Sequence, residues 1–194
     1  MPPLDRGLEA VVAFTGHSVI ASRLGEQDFA DFRPNGFGDA LAPEVLLRLA
    51  GGGTIGVNDV TLSARGTGGG TLPATTLWDD HFRVRHARQL RTDVAVHGDE
   101  RGLITLAAGT AGRTEMSIEV IDSLHGTKVG RAMIAEALAL VPEGEWVFAA
   151  VTPGNARSLR SFLSQGFTPI ASEVNIVPLH VSQATGIHAE TPRN

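Results

Sequence analysis

Two neighbouring stretches of this sequence carry residue types that chemistry can use. In LHGTKVGR, Gly126 and Gly130 bracket the start of an apolar-periodic segment, and His125, Lys128 and Arg131 add positive charge around it. The first turn of a helix holds backbone N–H groups without intrahelical partners, and its dipole favours an anion. Glycines there let a ligand approach the bare backbone, so a pyrophosphate would fit. The same residues also make an ordinary helix start with small side chains.

In TEMSIEVI, just upstream, Met116, Ile118 and Val120 alternate with Glu115, Ser117 and Glu119. This period of two describes a strand with one apolar face and one face bearing two carboxylates and a hydroxyl. Paired carboxylates raise each other's pKa, which suits a base working near neutrality. On a half-exposed sheet they would merely face solvent.

A third stretch, VTPGNARSLRSFLSQGF, runs from Val151 to Phe167. Asn155 suits an N-cap whose oxygen reaches the amide of Arg157 or Ser158. Ala156, Leu159, Phe162 and Leu163 then share a helical face, and Gly166 is a left-handed stop.

The elements that must position these residues are legible between them. Val129, Met133, Ala137 and Val141, flanked by Ile134 and Leu138, predict the longest helix, closed by Pro142 and Gly144. EWVFAAV has no polar alternation, as a strand buried on both faces requires. Strand, helix and strand in this order predict two parallel strands with a right-handed crossover. Upstream, LRTDVAVHG and GLITLAAGT read as two strands joined across residues 98–102.

The first half is less regular. AVVAFTGHSVIAS reads as strand with a Thr-Gly-His turn. LAPEVLLRLAG reads as a short helix with Pro43 in the first turn, an apolar face of Leu46, Leu47 and Ala50, and Gly51 as its stop. TIGVNDVTLSARG reads as a hairpin about Asn58-Asp59. GTGGGTLP lacks the Gly-Lys-Ser/Thr ending of a phosphate loop and reads as a flexible loop. FTPIASEVNIVPL is a last strand with a polar middle.

Composition bounds the rest. The 194 residues are 42% hydrophobic and 19% charged, with a formal net charge of −5; these are globular proportions suited to one domain. No apolar run approaches the roughly 20 residues of a membrane helix. MPPLDRGLEA lacks a signal-peptide pattern, so a cytoplasmic protein without a membrane partner is expected. No basic run with interleaved aromatics is present, and no nucleic-acid partner is expected. Cysteine is absent, which excludes disulfides and thiolate chemistry; tyrosine is absent too. His17, His81, His86, His180 and His188 form no ligand spacing, so no metal is expected. His81 and His86, with Asp79 and Asp80, either flank an acceptor pocket or sit on a solvated loop or helix.

Together these residues resemble the GCN5-related N-acetyltransferases (GNAT). HGTKVGRAM is similar to that family's pyrophosphate loop, Arg/Gln-x-x-Gly-x-Gly/Ala, with His125 at the Arg/Gln position and Lys128 at the middle glycine. Val151, Asn155, Ser158, Phe162 and Gly166-Phe167 match its later motif in register. The resemblance spans about Gln89 to Pro178.

It implies an α/β (α+β) acyl-CoA N-acyltransferase fold, a mixed central sheet flanked by helices. The implied organisation is one domain, 1–194: a divergent acceptor-side half over 1–88, an acetyl-CoA half over 89–178 and a tail over 179–194. The two parallel strands would splay and admit the pantetheine arm, with backbone groups of Glu119, Val120 and Ile121 offered to it. The Val120 amide would face the thioester oxygen. His125, Gly126, Thr127, Lys128, Val129, Gly130 and Arg131 would surround the pyrophosphate, and Asn155, Ser158 and Phe162 would line the other wall. Glu115 is the first candidate base and Glu119 the second, with Ser117 ordering a water between them. Phe162 stands where the family carries a proton-donating Tyr, leaving Ser161, Ser164 or water as substitutes.

The expected function is acetyl transfer from acetyl-CoA to an amine of a small molecule or protein, by direct attack, in a bacterial-type enzyme. A non-catalytic acyl-CoA-binding module and an unrelated nucleotide-binding domain are the alternatives. A homodimer through the strand Ile170 to Val177 is the further expectation.

Overall fold

The structure, a computed structural model, describes residues 1–33 and 35–187. The fold class is mixed α/β, as expected, and the chain forms two compact units, residues 1–60 with 170–194 and residues 61–169.

In the first unit, β1 (Glu9–Phe14) and β2 (His17–Ala21) form an antiparallel hairpin. Gly16 makes its turn at φ +85°, a left-handed conformation that favours glycine. Helix α1 (Pro43–Ala50) starts on Pro43 and ends on left-handed Gly51, as read from the sequence. Its buried face is Val45, Leu49 and Ala50, packed with Val11, Val174 and Ile176; Leu47, expected inside, is 63% exposed. The i, i+4 pair Val45 and Leu49 sets the stripe, which a run of three apolar neighbours leaves ambiguous.

The expected hairpin about Asn58-Asp59 does not form. Strand β3 (Thr54–Ile55) pairs instead with the end of β9 (Thr168–Val177). Strand β9 is also antiparallel to β1 from Ser172 to Ile176. The edge proposed for a homodimer is therefore occupied within the chain. The polar middle of β9 includes Glu173, 2% exposed. On β1, Glu9 is as deeply buried and accepts hydrogen bonds from Ser22 Oγ (2.8 Å) and the Arg23 amide (3.0 Å), which a buried carboxylate requires.

The second unit carries the strand order β4-β8-β7-β6-β5. Here β4 is Asp59–Arg65, β5 Thr92–Asp99, β6 Gly102–Ala108, β7 Thr114–Val120 and β8 Trp146–Val151. Strands β5, β6 and β7 form an antiparallel meander, and β7 and β8 are parallel. Helix α2 (Phe82–Leu90) precedes β5, and α3 (Val129–Leu140) makes the predicted crossover, burying Met133, Ile134, Ala137 and Leu138. Helix α4 (Ala156–Leu163) follows β8.

The glycine-rich loop is not free. Its amides at Thr67, Gly68 and Gly70 donate to the Leu138, Val141 and Ala139 carbonyls, satisfying the C-terminal end of α3. A Cβ at Gly66 or Gly70 would meet that backbone at 2.5–2.7 Å, so glycine is required for the close approach. The expected tail is partly helical as well: α5 spans Leu179–Thr185. His188 and the remainder of the tail lie outside the described residues.

Candidate active site

The antiparallel ladder decides which backbone groups of β7 are free. Val120 stands opposite Gly102, and the Ile121 amide donates to the Arg101 carbonyl at 3.0 Å. Val120 therefore belongs to a non-hydrogen-bonded pair, and its own N–H and C=O point away from β6, to the side of β8. There, among the described residues, β7 is in register with β8 at Glu115 opposite Phe148 alone. From Met116 to Val120 the strand has no registered partner on that edge among the described residues.

Of the three residues expected to offer backbone groups, only Val120 does so. Glu119 opposes Leu103 as a hydrogen-bonded pair, with its groups directed into β6. Ile121 donates to Arg101 and accepts from the Leu124 amide at 3.0 Å. The Arg101 guanidinium is itself held by Asp99 and by Glu136 of α3, both within 3.0 Å.

Residues 121–128 connect β7 to α3 through a 3₁₀ turn, Asp122–Leu124. Gly126 takes φ +83°. Thr127 Oγ1 donates to the Leu124 carbonyl (2.6 Å) and accepts from the Val129 amide (3.3 Å). The amides of Gly126, Lys128 and Gly130 have no partner among the described residues. The side chains of Lys128 and Arg131 are unpaired among the same residues. Three open donors and two free cations suit an anion. His125 is differently placed: Nε2 donates to the Val120 carbonyl at 2.8 Å and Nδ1 lies 3.7 Å from Asp122 Oδ1.

The carboxylate face of β7 separates into two environments. Glu115 is 4% exposed and bound by Arg91 Nε (2.7 Å), Arg113 Nε (2.8 Å) and the Thr110 amide (2.9 Å). Burial would raise its pKa, but the Arg91 and Arg113 charges and these hydrogen bonds overcome that and hold it below the ordinary carboxylate value. Its carboxylate lies over Gly109, where any Cβ would collide with it. The pKa elevation expected of Glu115, the first-ranked base, is thus reversed. The Ser117 hydroxyl is hydrogen-bonded to Thr105 Oγ1 at 2.6 Å.

Glu119 is half-buried and lines a cavity of about 210 Å³ with Trp78, His81, Gly102, Val120 and Asp122. Arg83 reaches it from α2 through Nε and Nη2, both at 2.5 Å and both on Oε2. Oε1 has no partner among the described residues and is left for a ligand.

His81 caps α2: its Nδ1 accepts from the Arg83 amide at 3.3 Å. Burial, with Arg83 and Arg85 nearby, holds its pKa below the ordinary imidazole value, against the pull of Glu119. From its sequence context His81 either flanks an acceptor pocket, with His86, Asp79 and Asp80, or sits on a solvated loop or helix; it starts the helix and lines the cavity. Histidine is an unusual cap. Trp78 and Gly102 had no signal at all.

After β8, Asn155 caps α4 as predicted, accepting from the Ser158 amide at 3.1 Å. Its Nδ2 remains a donor. Phe162, expected in the wall, is 6% exposed and packs edge-to-face on Phe167, ring centroids 4.9 Å apart. The hydroxyls of Ser161 and Ser164 donate back to the Arg157 and Ser161 carbonyls.

No family model matches this chain, and no curated protein does. Among solved structures, a GCN5-related N-acetyltransferase from Kribbella flavida is similar at 16% identity and a TM-score of 0.41, over 69% of this chain and 63% of that one. The chain thus spans less than two thirds of that neighbour, and a likeness this slight transfers no residue role. Among the described residues, no helix is long and apolar enough to cross a membrane.

Proposed function

We propose that the second unit binds acetyl-CoA along the open edge of β7 and transfers its acetyl group to an amine. The observation that carries this reading is the edge itself. Pairing between β7 and β8 stops at Glu115–Phe148, and the Val120 amide faces the unpaired side immediately before a turn with free amides and two free cations.

In this reading Gly126, Lys128, Gly130 and Arg131 hold the pyrophosphate, with Thr127 and Val129 shaping the turn. Asn155 Nδ2 and Ser158 Oγ contact the pantetheine. The Val120 N–H stabilises negative charge developing on the thioester oxygen, a contribution that is commonly large in acyl transfer. The amine arrives protonated, since its pKa is near 10. Glu119 Oε1 takes that proton, the nitrogen lone pair forms the C–N bond, and the C–S bond breaks to release the thiolate. The acylated nitrogen gives up its second proton, which passes through water to the thiolate; a thiol of pKa about 8.5 needs only this modest help.

A second reading, an acyl-CoA-binding module without turnover, is favoured by one observation. Helix α4 offers no side-chain acid, with Phe162 buried and Ser161 and Ser164 bonded back into the helix. Thermal shift with acetyl-CoA, CoA and ATP, followed by thiol release against a panel of amines, tests both. Stabilisation by ATP alone overturns acyl-CoA binding; stabilisation by acetyl-CoA without thiol release for any amine selects the second reading.

A further inference from the structure

The cavity beside Glu119 is bounded by groups of unequal chemistry. Glu119 presents a carboxylate oxygen, Oε1, without a partner among the described residues. His81 presents a donor. Because Nδ1 accepts from the Arg83 amide, the proton of the neutral ring sits on Nε2, which has no partner among the described residues. Protonating Nδ1 would break the cap of α2, so the ring is held in one tautomer. Trp78 meets the imidazole edge-on, ring centroids 5.7 Å apart, and its own Nε1 is fixed on the Asp99 carbonyl at 3.2 Å. The lining carries two carboxylates, Glu119 and Asp122, and no lysine or arginine. The Arg83 guanidinium is bound to Glu119.

A fixed acceptor anion and a fixed neutral donor in one small cavity select a ligand with the converse pair. We propose that the cavity takes a small amine that also carries an uncharged hydrogen-bond acceptor, an α-amino amide above all, with its nitrogen on Glu119 Oε1 and its carbonyl oxygen on His81 Nε2–H. This rests on the acetyl transfer proposed above and names its acceptor class. A free amino acid is disfavoured, because its carboxylate would face Glu119 and Asp122 without a free cation to receive it. A plain alkylamine leaves the His81 donor unpaired, which is costly in a partly buried site.

The test compares alaninamide, alanine and 1,2-dimethylpropylamine, the hydrocarbon analogue of alaninamide, on the full chain and on His81→Ser. Serine is a good N-cap and so preserves α2 while removing the donor. The amines differ in pKa, about 8 for an α-amino group against about 10 for an alkylamine. That difference is common to both proteins and cancels when their preference ratios are compared.

Binding is read on Trp78 emission in a Trp146→Phe background, since Trp146 is a surface residue stacked on Arg65; turnover is read as thiol release. The expected result is that the alaninamide-to-alkylamine preference falls about tenfold in His81→Ser, and that His81→Asn, which keeps a cap and an N–H donor, recovers part of it. An unchanged ratio, or alanine binding as well as alaninamide, overturns the proposal. His81-dependent binding of alaninamide without thiol release sustains it and instead overturns acetyl transfer.

Discussion

The imidazole of His125 donates to the Val120 carbonyl at 2.8 Å, folding the start of the anion turn back onto the last residue of β7. The backbone group that an incoming pantetheine would address thus already has a partner from its own chain. His125→Ala frees that carbonyl. Acetyl-CoA affinity is expected to rise about three- to tenfold, the equivalent of one ordinary hydrogen bond, as measured by titration calorimetry. Weaker binding in the variant would show that His125 contacts the ligand directly.

Lys128 and Arg131 have no ion pair among the described residues and stand at the start of α3. Replacing either by alanine is expected to weaken acetyl-CoA binding about three- to tenfold at low salt, with the loss shrinking as ionic strength rises. The check is the dissociation constant at two salt concentrations. A salt-independent loss would mean the side chains act by packing.

The two carboxylates of β7 should fail differently. Glu119→Gln is expected to lower kcat by about 10²–10⁴-fold while leaving the melting temperature and acetyl-CoA affinity near those of the parent. Wild-type turnover in this variant would remove Glu119 from the proton path.

Glu115→Gln is expected to cost about 3–5 kcal/mol of stability near pH 7, because Arg91 and Arg113 keep their charges in a buried site. The folded-state pKa of Glu115 is lowered, so its contribution is complete above the ordinary carboxylate pKa of about 4.3 and is lost as pH falls through the folded value. The stability gap between the two proteins, read from denaturation curves taken from pH 7 downward, should therefore be complete at pH 7 and begin to narrow only below about pH 4, closing further as the pH falls. A gap that widens on acidification would contradict the sign.

Much of this arrangement was legible in the sequence because it rests on local rules. Period-two alternation marked β7, the apolar period marked α3, and a cap residue three positions before its bonded amide marked Asn155. The readings that failed depend on partners distant along the chain. Nothing in TEMSIEVI reveals that Arg91 and Arg113 enclose Glu115 whereas Arg83 leaves Glu119 one free oxygen. Glycines 66–70 read as slack because a close approach to the end of α3 leaves the same local trace as flexibility. The strand Ile170 to Val177 looked available because its partner, β1, lies at the opposite end of the sequence. Phe162 was in register with a wall position, yet the neighbouring Phe167 ring draws it into the core.

The most direct test of acyl-CoA binding on the edge of β7 is amide hydrogen exchange of the full chain with and without saturating acetyl-CoA. Slowed exchange is expected at Val120, Gly126, Lys128 and Gly130, whose amides face that edge or are open at the turn, and no such change with ATP. Acetyl-CoA binding that leaves these four amides unprotected, or protects a different region alone, would contradict it.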